Sequence, residues 1–141
     1  MAKVKKVVAY ITLGERLLVF TQRDYPQAGV QVPAGTVEAG EAIEDAVLRE
    51  AQEETGLKNL RLVKYLGARD FDAAESAKPG EVHERHFFHL QAANPAPEKW
   101  RHWEMTPSGD DKTPVAFDLR WVDKDAAELF YDFGALLGKI R

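Results

Sequence analysis

Glu50, Glu53 and Glu54 crowd one end of a stretch, from about Ala42 to Thr55, that contains no Pro or Gly. At roughly 100° per residue on a helix, Glu50 and Glu54 share the stripe of Ile43 and Val47, the stripe that ought to face a core. Like charges four residues apart repel even in water, and partial burial costs more. Asp45 and Arg49 are spaced to pair at i, i+4 on a different face, but Glu50 and Glu54 have no basic residue at i±3 or i±4 except Lys58, which lies beyond Gly56. A divalent cation is the natural missing partner. Magnesium takes hard oxygen ligands, keeps several waters and joins one or two carboxylates to substrate phosphates; manganese accepts the same ligands. The competing reading is the solvated acidic face of an ordinary surface helix.

The elements that must hold these acids follow from apolar runs and punctuation. Val7 to Ile11 and Leu17 to Phe20 flank Gly14-Glu15 and predict a β-hairpin. Val30 to Val32 predicts a short strand ended by Pro33, with Gly35 and Gly40 marking the loop that leads into the acidic helix. Gly56 stands where a left-handed C-terminal cap is wanted. Leu60 to Leu66 predicts a strand, Asp70 to Glu84 a polar loop carrying Pro79-Gly80, and Phe87 to Ala92 a return to the sheet. Asn94 to Pro114, with Trp100 and Trp103, is a long excursion, and long loops in compact domains are often functional. Val115 to Val122 predicts a last strand, and Ala126 to Leu137 a closing helix with Leu129, Phe130, Phe133, Leu136 and Leu137 at helical spacing.

The 141 residues amount to one domain, residues 1–141, of α/β class with a mixed sheet and two helices. Net charge is −4 with scattered basic residues, so the basic footprint of a protein that binds polymeric nucleic acid is missing. The absence of cysteine removes thiolate metal sites, disulfides and a cysteine nucleophile. No run approaches the roughly 18 apolar residues of a membrane span, which gives a cytoplasmic expectation without a membrane partner. The apolar strand near the beginning and the aromatic segment near the end leave a homodimer open.

The run from Gly35 through Glu41, Arg49, Glu50, Glu53 and Glu54 to Gly56-Leu57 resembles the 23-residue signature of the Nudix (MutT-like) hydrolases, every charged and glycine position matching. Ala51 departs from it, standing where the family usually has a larger aliphatic residue. The resemblance implies an α/β/α sandwich with a loop-helix-loop catalytic motif. It also implies magnesium-dependent hydrolysis of a phosphoanhydride in a nucleoside diphosphate linked to another moiety: a nucleoside triphosphate, a dinucleoside polyphosphate or a nucleotide sugar. By that resemblance Glu50, Glu53 and Glu54 bind the metal with the backbone carbonyl of Gly35. Arg49 orients a metal-binding glutamate, and Glu41 holds the arginine. The alternative is a binding module that senses a nucleotide without cleaving it, for which a damaged signature is expected.

Within the signature Glu53 is the candidate to take a proton from water, with Glu104, Glu84 and Glu81 as candidate bases from loops outside it. Some family members also draw a further metal-binding glutamate from a downstream strand, where Gln91 and its neighbours stand in this chain. Arg23 and Arg85 are candidates to meet phosphate with a bidentate fork. Trp100, His102 and Trp103 could form a base-stacking wall, Trp103 foremost because Glu104 is beside it; the competing reading is a hydrophobic plug. His86 and His89 cannot point to one side of a strand together, which argues against zinc there.

Overall fold

The computed structural model describes residues 2–72, 80–105 and 113–141. The expected hairpin is formed by β1 (Ala2–Leu13) and β2 (Arg16–Gln22), turning at Gly14, whose φ of 63° suits a residue without a Cβ. Three further residues, Ala34–Thr36, make β3; the helix α1 spans Ile43–Thr55; and β4 (Arg61–Asp72), β5 (Glu81–Gln91), β6 (Lys99–Glu104) and β7 (Val115–Asp123) complete the strands. The sheet runs β4-β5-β1-β2-β7-β6, with β3 also on β1. It is mixed because β1 and β5 are parallel over their whole shared length while the other pairings are antiparallel.

Both faces of β1 are covered, which is why its sequence reads as an apolar run rather than an alternation. Val7, Ala9 and Ile11 face α1 through Ala46, Val47 and Ala51. Val8 and Tyr10 face the closing segment through Ala127, Leu136 and Leu137. The second edge of β1 is divided: β3 pairs with Lys6 to Val8, and β2 with Thr12 and Leu13. A cleft lined by Lys6 and Val8 of β1, Phe20 and Gln22 of β2 and Ala34 and Gly35 of β3 reaches Glu54 of α1.

Four expectations change. Val30 to Val32 contributes only a single bridge, Phe20 to Gln31, and the strand lies after Pro33. Pro33 has no N–H to give a ladder, but its carbonyl accepts from Ala9 N at 2.8 Å. The excursion from Asn94 contains β6, which pairs residue for residue with β7; its mix of aromatic and charged side chains is that of an edge strand. Residues 106–112 of the excursion and 73–79 of the expected Asp70 to Glu84 loop lie outside the described residues, while the ends of that loop belong to β4 and β5.

The closing helix is replaced by two short 3₁₀ turns, Tyr131–Gly134 and Leu137–Lys139. Their backbone bonds run from i to i−3, as in Ala135 N to Asp132 O and Ile140 N to Leu137 O. Gly134 and Gly138 weaken a helix here, and Phe130 N bonds instead to Val30 O at 2.8 Å. The helical spacing of the apolar residues serves tertiary burial. No helix among the described residues is long and apolar enough to cross a membrane.

Candidate active site

α1 carries Glu44 and Asp45 in its first turn, where acids suit the helix dipole, and ends at Gly56 in the left-handed conformation, φ 76°. The stripe that buries Ala46, Val47 and Ala51 also carries Glu50 and Glu54 inward, each only 5% exposed. β6, edge strand of the sheet, brings Glu104 to the same place, 7% exposed. Glu50, Glu53 and Glu104 each offer a carboxylate oxygen, and these lie within 4.8 Å of one another.

The β3 backbone closes the cluster from a second side. Ala34 N donates to Glu54 Oε2 at 3.0 Å. Gly35 lies against Glu50 so closely that a Cβ there would overlap its carboxyl group. Arg49 closes a third side. Its Nε and Nη2 donate to the two oxygens of Glu41 at 2.9 Å each, Nη1 to Glu50 Oε1 at 3.0 Å and to Glu53 Oε2 at 3.3 Å, and Nη2 also to the Thr36 carbonyl at 3.0 Å. The guanidinium thus spans the loop, a helix acid and the β3 backbone, in place of the i, i+4 pair with Asp45 that the spacing allows.

These contacts leave the acids unequal. The Arg49 bonds and the Glu38 N–H hold Glu41 well down, to about 2. Burial pushes Glu50 up to about 7, with Glu53 and Glu104 adding repulsion and Arg49 opposing it. Burial, then the charges of Glu104 and Glu50, raises Glu54 well above the ordinary carboxylate value; burial and Glu53 raise Glu104. Raised carboxyls in a cleft mark a functional site, because their ionised forms need a cation that the fold supplies only in part. The donor set of hard carboxylate oxygens without His or Cys, opened by a residue with no side chain at position 35, fits a hard divalent cation.

The cleft beside the cluster has a volume of about 320 Å³ and is lined by Gly35, Glu54 and Glu104 together with the basic side chains of Lys6, His83 and Arg85. Arg85 is sandwiched between Phe71 and Phe133, its guanidinium carbon 4.5 and 4.9 Å from the ring centroids. Its Nη1 is buried with no acceptor among the described residues.

Other candidates go elsewhere. Arg23 forks onto Asp24 and stacks over Trp103 at 5.2 Å; neither arginine nor tryptophan lines the cleft. Neighbours on a strand face opposite ways, so Trp103, 42% exposed, is turned from the side of β6 that carries Glu104. Trp100 and His102 form no stacking wall: Trp100 Nε1 donates to the Thr55 carbonyl at 2.8 Å, and His102 Nε2 meets the Glu53 carbonyl at 2.9 Å. Glu81 and Glu84 bond to His83 and His86 along β5, and Gln91 is exposed and paired with Arg61. His89 bonds to Thr12 at 2.8 Å. Of the three loop acids named as bases, Glu104 alone joins the metal-type cluster. Sequence reasoning missed the Thr36 carbonyl and the Ala34 N–H, backbone groups that carry no signal in residue type.

Residues 3–135 match the NUDIX domain. Solved structures with the same fold include a UDP-X diphosphatase, 16% identical over 99% of this chain with a TM-score of 0.65, of whose length the chain spans 63%. A MutT NUDIX hydrolase from Burkholderia pseudomallei is 23% identical over the whole of both chains, TM-score 0.61. An ADP-ribose pyrophosphatase from Streptococcus suis 89-1591 is 13% identical over 98% of this chain and 92% of its own, TM-score 0.61.

Proposed function

The chain belongs to the Nudix family of hydrolases, which act on pyrophosphate bonds, and we propose that it cleaves the phosphoanhydride of a nucleoside diphosphate linked to another moiety, using magnesium, with manganese able to replace it. The observation that carries this reading is the convergence of Glu50, Glu53 and Glu104 from α1 and β6, elements far apart in sequence, on one point beside Gly35. Two of the similar structures are named for a nucleoside diphosphate carrying a second group, UDP-X and ADP-ribose. A net charge of −4 with scattered basic residues offers no basic footprint for polymeric nucleic acid, and the reading takes free nucleotides of the cytoplasm as the substrates.

In this reading Glu50, Glu53, Glu54 and Glu104 hold the cation with the Gly35 carbonyl. A bound divalent cation makes water more acidic and neutralises the diphosphate oxygens. Glu53 has the most open side chain on α1's acid face, 35% exposed, and takes the proton of the attacking water. Arg49, locked by both oxygens of Glu41, fixes Glu50 and Glu53 and prevents them from turning away under mutual repulsion. Arg85, which lines the cleft with a buried Nη1 that has no acceptor among the described residues, receives a phosphate oxygen of the substrate.

The test is release of phosphate or pyrophosphate from nucleoside triphosphates, dinucleoside polyphosphates and nucleotide sugars with magnesium and with manganese, by the native chain and by Glu53→Gln. Turnover that the substitution abolishes supports a hydrolase and gives its substrate class. Nucleotide binding without turnover across that panel contradicts the reading and favours a non-catalytic sensor.

A further inference from the structure

The last carbonyls of a helix have no partner inside it. In α1, Gly56 N bonds to the Gln52 carbonyl and Thr55 Oγ1 to the Ala51 carbonyl. The N–H of Leu57 turns to Thr55 Oγ1 at 3.0 Å. The carbonyls of Glu53 and Thr55 are met from outside the helix, both by β6: Trp100 Nε1 donates to Thr55 and His102 Nε2 lies 2.9 Å from the Glu53 oxygen. Because a carbonyl can only accept, the imidazole must carry its proton on Nε2.

Residues 100, 102 and 104 alternate along one face of the strand. The side chain two residues after His102 is Glu104, whose carboxylate meets those of Glu50 and Glu53. One strand therefore bonds the Glu53 backbone through His102 and, two residues on, brings the Glu104 carboxylate against that of Glu53. Gly56 contributes room as well as conformation: a Cβ there would come within 2.8 Å of His102 Nδ1. As the edge of the sheet, β6 has β7 as its one strand neighbour among the described residues, so its position over α1 depends on these side-chain bonds.

We propose that His102, seconded by Trp100, is a positioning residue: it docks β6 on the carbonyl end of α1 and thereby sets the separation of Glu104 from Glu50 and Glu53. This rests on the reading of those glutamates as metal ligands. Partners that orient metal ligands are worth about 10- to 100-fold in metal affinity. A histidine that merely capped the helix would change stability and leave that affinity alone.

The test is calorimetric titration of the full chain with manganese, without substrate, with circular dichroism to establish folding. His102→Phe keeps a ring and removes the donor; it is expected to weaken manganese binding at least about tenfold. His102→Gln returns an N–H to the same region and is expected to restore most of the affinity. In a Glu104→Gln background, His102→Phe is expected to add little, since its effect acts through Glu104. Trp100→Phe, which removes the companion N–H, should weaken binding in the same direction, and it serves if His102→Phe does not fold. A folded His102→Phe that binds manganese like the native chain overturns the proposal, as does an equal loss in both backgrounds. Failure of the native chain to bind manganese contradicts the metal reading itself, and the positioning role falls with it.

Discussion

Along the β4–β5 edge, Asp70, Glu81 and Glu84 stand beside Lys3, His83 and His86, whereas on α1 and β6 the cation bonded to Glu50 and Glu53 is Arg49, with Glu54 and Glu104 packed behind. The first group is wetter: Asp70 is half exposed, and Glu81 and Glu84 keep about a fifth to a quarter of their side-chain surface. Glu50, Glu54 and Glu104 are nearly dry. The two groups use the same residue types, and both supplied candidate bases from sequence. What separates them is whether the fold provides a side-chain hydrogen-bond partner or cation for each acid it buries. An acid with its own partner is explained by its neighbours; a buried surplus of like charge calls for something from outside the chain.

The sharpest way to break this contrast is to remove one acid from each group. Glu53→Gln is expected to lower kcat by roughly 10²- to 10⁴-fold, the usual weight of a positioned proton acceptor, while Glu84→Gln leaves kcat near native. Steady-state hydrolysis of the best substrate in the panel measures both. Arg49→Lys keeps the charge but loses the fork that joins Glu41, Glu50 and the Thr36 carbonyl. Its activity and metal affinity are expected to fall about 10- to 100-fold.

Stability against pH separates the groups without any assay of turnover. The folded chain favours the protonated form of Glu50, whose carboxyl stands at about 7 against an ordinary 4.5. Between those values the folded state binds more protons than the unfolded state, so stability of the metal-free chain falls as pH rises through the window. The loss amounts to a few kcal/mol, since each tenfold change in proton affinity is worth about 1.4 kcal/mol. Magnesium, binding the ionised cluster, is expected to reverse the trend. Melting at about pH 5 and about pH 8, with and without magnesium, reads both effects. The smallest change is expected at the wet cluster: Lys3→Met should leave the chemical-denaturation midpoint close to native, as the loss of an exposed pair does.

Much of this contrast was legible in the sequence. Helical periodicity placed Glu50 and Glu54 on the buried face of a helix ending at Gly56, and α1 holds them there. A helix with caps and period is a local object, and its acids needed no tertiary knowledge to look misplaced. The hairpin was equally local. β6 was not: its residues, Lys-Trp-Arg-His-Trp-Glu, mix aromatic and charged side chains in a pattern that suits a loop or an edge strand until β7 is found beside it. With β6 unread, Trp100, His102 and Trp103 looked like one wall, whereas the strand turns Trp103 away from the other two. The closing segment misled in the opposite sense. Its apolar spacing matched a helix, but Gly134, Gly138 and the docking of Phe130 N on Val30 O favour short turns packed on Tyr10 and Val8.

The central claim is that the surplus of buried acid is a cation site built jointly by α1 and β6. Titration of the native chain with magnesium, beside Glu104→Gln and Glu84→Gln, tests it most directly. Binding that is weakened at least about tenfold by Glu104→Gln and untouched by Glu84→Gln is the predicted result. No binding to the native chain, or binding indifferent to Glu104, would contradict it.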